Sequence, residues 1–193
     1  MDKKWFAYGG IAASVVLIAF GIGSIFIGVQ GFNQVRDEIV IQKITAGDDA
    51  AEITNGRLQP GEAITTGSQA RAFADVMEFH TLRSTEGKRY SEMGRFLTPD
   101  GGDTNDEAAA MKGEDGRPVA NGLREMWVTE TALTTALNTS YFAERVAYFS
   151  IVMGVALLLT GIGFLVLTLG GALGAVALAK REKKALTTAS AAT

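Results

Sequence analysis

VAYFSIVMGVALLLTGIGFLVLTLGGALGAVALA, residues 146–179, runs for 34 positions without a charged side chain. An α-helix needs about 20 apolar residues to cross a hydrocarbon layer about 30 Å thick, so this stretch is long enough with residues to spare. A second stretch lies earlier: WFAYGGIAASVVLIAFGIGSIFIGV, residues 5–29, inside a charge-free gap of 31 positions from 5 to 35. A chain of 193 residues offers too small a body to bury two such helices in a water-soluble core. The sequence therefore predicts a mainly α protein. Its expected form is a two-pass transmembrane helical hairpin with long extracytoplasmic helix extensions and a small, mostly helical, partly irregular outer domain.

The expected divisions are a cytoplasmic N-terminus (1–4), a first span (5–29), an extracytoplasmic domain (30–145), a second span (146–179) and a cytoplasmic basic tail (180–193). Charge sets this orientation. Lys3 and Lys4 outnumber Asp2 before the first span, and Lys180, Arg181, Lys183 and Lys184 outnumber Glu182 after the second. Residues 36–145 carry 12 Lys/Arg against 19 Asp/Glu, a net −7. Short basic flanks stay in the cytoplasm, so both ends read as inside a plasma membrane and the acidic middle as outside. Such a middle is a poor ligand for nucleic acid or anionic lipid. MDKKW would also suit the n-region of a cleaved signal peptide, but the apolar part from Phe6 to Val29 is 24 residues, against about 7–15 for a usual h-region. An uncleaved anchor is expected. With no cysteine, disulfides, thiolate catalysis, Fe–S clusters and cysteine zinc sites are excluded.

Trp5, Phe6 and Tyr8 stand where an interfacial aromatic belt would. Phe32, Val35 and Ile39 continue the first helix amphipathically to about Lys43. Gly47, Asn55-Gly56 and Pro60-Gly61 punctuate an irregular stretch with room for one short hairpin. A helix from about Ser68 to Leu82, capped by Thr66 or Ser68, puts Phe73, Met77 and His80 on one face with Ala70 and Ala74 close by. That face is expected to pack on the extensions of the two spans. Residues 84–121 hold most of the breakers and read as a flexible loop, with a short helix beginning near Tyr90. From Leu123 to Tyr148 there is neither Gly nor Pro, and Leu123, Met126, Trp127, Leu133, Leu137 and Tyr141 form a stripe. One helix is expected from Leu123 through Ala179, 57 positions and about 85 Å long.

Catalytic signatures are scarce. His80 is the only histidine, so one chain cannot supply a 2-His-1-carboxylate iron site or a three-His zinc site. Its spacing suggests a half-buried packing residue donating a hydrogen bond; a pH-sensing or ligand role is the alternative. The loop beginning at Asp103 places Asp103, Asn105, Glu107 and Glu114 at positions 1, 3, 5 and 12 of an EF-hand-like pattern, but Ala108 stands where the turn glycine belongs. Asn138-Thr139-Ser140 fits the glycosylation pattern yet lies within the predicted long helix. No catalytic, cofactor or metal residue is assigned, and no cofactor is expected.

Small residues pattern both spans. Gly9/Ala13, Ala19/Gly23 and Ser24/Gly28 in the first, and Gly170/Gly174 and Gly171/Ala175 in the second, are spaced for close helix approach. Either the two spans pack on each other through them, or a partner helix does. Neither span carries a charged residue of the kind that proton relays and ion paths use. Phe73, Met77, His80, Tyr90 and Trp127 are expected to be structural residues of the outer domain.

QVRDEIVIQKIT, AITTGSQARAFADVMEFHTLRSTEGKRYSEM and LTTALNTSYFAERVAYFSIVMGVALLLTGIGF resemble small two-pass membrane proteins of actinobacteria. Their shared order is a helix, an outer exit, a TG-x-QA-x-x-x-AD helix with a histidine, a Gly-Lys-x-Tyr turn and a long second helix. The matching positions are Thr66, Gly67, Gln69, Ala70, Ala74, Asp75, His80, Gly87, Lys88 and Tyr90; the loop from Thr98 to Ala120 lies outside the match. The resemblance implies this fold and an envelope location, and supplies no catalytic residue. Some proteins of this kind are named aromatic ring-opening dioxygenases, an activity that a lone histidine argues against. The expected function is non-enzymatic: an accessory or scaffold subunit of a larger envelope membrane complex, or a homo-oligomer, with the lipid bilayer and other membrane subunits as partners and no nucleic acid. The alternative is an extracytoplasmic ligand-binding or sensing module signalling through its continuous helices, a reading that the 14-residue tail from Lys180 to Thr193 disfavours.

Overall fold

A computed structural model describes residues 3–190, with side chains from 7 to 171. Lys3, Lys4, Trp5, Phe6, Gly174, Ala175 and the basic residues from Lys180 to Lys184 lie outside the described side chains. The protein is 67% helix, which makes it mainly α. Its elements are α1 (Lys3–Ile41), α2 (Ala50–Ile53), α3 (Gly67–Ser84), a 3-10 turn (Tyr90–Glu92), strands β1 (Phe96–Leu97) and β2 (Asp103–Thr104), and α4 (Gly122–Ser190). The chain divides into two compact units, one of Met1–Gly31 and Val146–Thr193, the other of Phe32–Arg145.

The first unit is an antiparallel pair of apolar helix segments. Small residues recur every seventh position on both: Ser14, Gly21 and Gly28 are buried on α1, and Ala147, Gly154 and Gly161 on α4. A seven-residue period keeps one seam of each helix facing the other, and small side chains let the backbones meet. A Cβ on Gly21 would lie 2.6 Å from Leu158 N, and one on Gly154 would lie 2.7 Å from Gly21 O. Ser14 Oγ donates to Gly10 O at 2.7 Å and Thr160 Oγ1 to Ala156 O at 2.7 Å, so these hydroxyls are satisfied within their own helices. Most of the other described side chains of the pair are apolar, and many of them are exposed. The most hydrophobic windows of α1 and α4 have mean hydropathies of 2.4 and 2.5, and only 11% of each is buried.

The second unit has a core of Ile39, Leu58, Ile64, Val76, Leu137 and several alanines, with Val35, Ile44, Ile53, Phe73 and Met77 packed against it. The stretch after α1 closes on itself through Ala46 N to Glu62 O (2.8 Å) and Ile64 N to Ile44 O (2.9 Å). α2 lies between, and its exit turn uses Asn55 (φ 53) and Gly56 (φ 78).

Residues 84–121 differ from the flexible loop that their breakers suggested. β1 pairs antiparallel with β2, Phe96 opposite Thr104. On β1's other side Leu97 N donates to Val119 O (3.0 Å) and Met111 N to Leu97 O (2.8 Å). The strands are two residues each, too short to leave an alternating pattern in sequence. The buried line of α4 also differs from the expected stripe. Leu123, Met126 and Leu133 are exposed, whereas Trp127, Glu130, Leu137 and Glu144 are buried. Two of the four are carboxylates, which a search for apolar periodicity passes over.

Candidate functional site

Gln69 organises the start of α3. Thr66 is its N-cap, accepting from Gln69 N, while Gln69 Oε1 accepts from Thr66 N (3.0 Å) and Thr65 N (2.9 Å). This reciprocal capping satisfies amide donors that a helix start leaves open. Gly67 follows because α3 begins in contact with α4: a Cβ there would lie 2.8 Å from Tyr141 Cα and 2.9 Å from Glu144 Oε2. Around this corner Arg36 Nε donates to Glu144 Oε1 (2.8 Å), Arg145 Nη2 to Ser68 Oγ (3.0 Å) and Arg71 Nη1 to Asn138 Oδ1 (3.0 Å). The Arg36 guanidinium also lies over the Phe32 ring, 4.2 Å from its centroid. Polar contacts therefore fasten α1 and α3 to α4 beside the apolar core.

Next to this corner the packing opens into a groove of about 570 Å³, lined by Ile39, Ile44, Phe73, Met77, Leu133, Ala136 and Leu137, with Glu38, Gln42 and Ser140 as its polar members. Ile39 and Leu137 are themselves buried, so the groove reaches the core. Its volume lies in the range of small-molecule sites, about 300–1,000 Å³. Among the described residues no Lys or Arg lines it.

A smaller cavity of about 190 Å³ lies between the end of α3 and the β-hairpin, lined in part by Thr85, Lys88, Met93, Asp103 and Asn121. Trp127 is buried beside it and donates its indole N–H to Lys88 O at 2.9 Å. Gly87, at φ 81, turns the chain into that contact. Asn121 caps α4, accepting from Leu123 N (3.1 Å) and donating to Gly94 O (3.0 Å). Sequence reading missed this cap, although Asn before a helical run is its usual signal.

Phe73 and Met77 line the groove, partly buried. His80 stands apart from that face. Its side chain is 51% exposed, and its Nε2 lies 2.7 Å from Asp49 Oδ2. An ionised carboxylate only accepts, so the ring donates there and holds α3 to the turn before α2. Tyr90 is exposed, with the Arg124 guanidinium 4.1 Å above its ring. In the acidic loop Asp103 Oδ2 lies 3.8 Å from Lys88 Nζ, and Asn105 Oδ1 accepts from Arg95 N (3.2 Å). Among the described residues no three His, Asp or Glu side chains converge as a metal set. A hydrogen bond from the Thr98 side chain, and then backbone bonds at Asp100 and Gly102, hold the Asp100 carboxyl below its usual value. Of the spaced small residues, Gly28 is in the helix seam; a Cβ on Gly9, Gly23 or Gly170 would meet nothing. Ala13 and Ala19 are exposed and Ser24 is partly buried.

Neither a protein-family model, nor a curated protein, nor a solved structure matches this chain.

Proposed function

We propose that the chain is a two-pass plasma-membrane protein of the actinobacterial kind it resembles, spanning at 5–29 and 146–179, with 30–145 outside and both flanks in the cytoplasm. In this reading it works without catalysis, as an accessory subunit of a larger envelope membrane assembly or as a homo-oligomer. One observation carries it. Two helices long and apolar enough to cross a membrane pair through small residues and leave 89% of their most hydrophobic windows unburied. In water that surface would far exceed the few hundred Å² that a monomer tolerates; in lipid it is at home. Basic flanks and an acidic middle give the orientation. Gly9 and Gly23 face away from the seam with open space before them, the kind of surface on which a further helix packs closely.

Two experiments test this. The chain lacks cysteine, so single cysteines report cleanly. A membrane-impermeant maleimide should label Gly101→Cys in intact cells and label Lys183→Cys only after permeabilisation; the reverse would overturn the topology. Purification in mild detergent with mass spectrometry should recover a stoichiometric membrane partner or a defined oligomer, and a monodisperse monomer would end the accessory reading. The 570 Å³ groove favours a second reading, a ligand-binding module.

A further inference from the structure

We propose that the groove of the Phe32–Arg145 unit binds a small cationic amphiphile, an apolar body carrying an amine. This rests on the ligand-binding reading and is independent of the accessory role. The apolar body follows from the lining. Ile39, Ile44, Phe73, Met77, Leu133 and Leu137 present hydrocarbon, aromatic and thioether surface, and Met adapts its shape to irregular guests. The charge of the head follows from what the polar members can do. Ser140 donates its proton to Ala136 O at 3.1 Å, so its oxygen is left to accept. Glu38 is exposed and, among the described residues, in no ion pair. Gln42 adds an amide oxygen together with its NH2 donors, fewer than the acceptor sites of Glu38, Ser140 and Gln42 combined. Acceptors thus outnumber donors in the lining, and an ammonium, with three donors and no acceptor, complements them.

An anionic head finds no charged counterpart: among the described residues no cation lines the groove. The nearby guanidiniums are engaged elsewhere, Arg36 by Glu144 and Arg71 by Asn138. A phosphate or carboxylate would face the Glu38 carboxylate, which is unfavourable in a partly desolvated site. A partner helix fits less well, because the α4 wall runs only from Leu133 to Ser140. That is about two turns, against three to four in an average helix.

The test uses the full chain in phosphatidylcholine nanodiscs with three photoreactive probes of one chain length: dodecylamine, dodecanol and dodecanoate, each with a mid-chain diazirine. The amine should label the peptides holding Met77 and Leu137 saturably, competed by unlabelled dodecylamine. Ala136→Trp, which fills the groove from an exposed position, should abolish that labelling. Glu38→Gln should weaken the amine about tenfold by removing a charge-assisted contact and leave dodecanol unchanged. Saturable labelling that is lost in Ala136→Trp but equally strong for dodecanoate would overturn the cationic assignment and leave a ligand groove standing. Labelling that no variant alters, or none, would overturn both. An Ala136→Cys disulfide between two copies would put a second chain in the groove, and that too would overturn the proposal.

Discussion

Arg36 and Glu144, 108 positions apart in sequence, meet at 2.8 Å, and the pair is unequal: the Arg36 side chain is 42% exposed and that of Glu144 only 7%. The carboxylate is the partner that cannot return to water. Removing the guanidinium strands a buried charge, whereas removing the charge leaves an arginine able to turn outward. Arg36→Ala should therefore destabilise the protein by about 1–3 kcal/mol, below the about 3–5 kcal/mol of a fully buried pair because one side is wet. Glu144→Gln, with its shape kept, should cost less. Arg36→Ala introduced into Glu144→Gln should add little, and a double-mutant cycle read by thermal unfolding in detergent checks the coupling. Additive losses would mean that the two side chains do not sense each other.

Gly67 and Gly21 test close approach against helix propensity. Alanine is the better helix former by about 1 kcal/mol, so Gly→Ala inside a helix stabilises where space allows. At Gly67 the new Cβ would lie 2.8 Å from Tyr141 Cα, and at Gly21 2.6 Å from Leu158 N. Backbone cannot move aside as a side chain can. Both substitutions should destabilise by about 1–3 kcal/mol. Gly23→Ala, two residues from Gly21 and with nothing within 4 Å, should be neutral or slightly stabilising. Equal effects at 21 and 23 would refute the seven-residue seam.

That comparison also locates what the sequence could tell. The two apolar runs were legible because length and the absence of charge identify them without tertiary knowledge. The seam was not. Pairs such as Gly9/Ala13 and Ala19/Gly23 are as well spaced as the residues that meet, and only the facing helix decides between a step of four and a step of seven. Trp127 showed in the apolar stripe, but Glu144 could not, since its burial depends on Arg36, far away in sequence. The groove draws its lining from α1, the turn at Ile44, α3 and α4, so no single stretch encodes it, although Phe73 and Met77 were readable as one face.

His80→Ala should cost less than about 1 kcal/mol. The ring is half exposed and so is its partner, the Asp49 side chain at 46%, and a surface contact of this kind, charged or neutral, contributes about 0–1 kcal/mol. The packing role that spacing suggested would instead predict a loss of about 1–3 kcal/mol. Asp49→Asn should behave like His80→Ala. A large loss in His80→Ala without one in Asp49→Asn, by thermal unfolding in detergent, would restore the packing role.

α4 holds its helix through a stretch that propensity alone does not favour. Thr134, Thr135, Asn138, Thr139 and Ser140 all fall within two turns, and such residues compete for backbone hydrogen bonds. Here three of the hydroxyls turn back onto their own helix: Thr134 Oγ1 donates to Glu130 O at 2.9 Å, Thr139 Oγ1 to Thr135 O at 2.7 Å, and Ser140 Oγ to Ala136 O at 3.1 Å. Asn138 is held by Arg71, and Leu137 is buried in the core. Packing, not propensity, thus keeps the helix unbroken at its weakest composition. Glycines at both Thr134 and Thr135 should cost about 1–2 kcal/mol and leave the pairing of the two apolar segments intact. Spin labels give the direct measure. Glu130 and Glu144 are buried, so labels belong instead on Val128 and Phe142, which are 56% and 68% exposed. Fourteen residues of continuous helix separate their backbones by about 21 Å, and the distance distribution should be narrow. The glycine pair should broaden it without moving its mean far, since the contacts of Leu137 and Asn138 on the C-terminal side remain. A short or broad distribution in the unsubstituted protein would place a break near Asn138 and remove the α4 wall on which the groove depends.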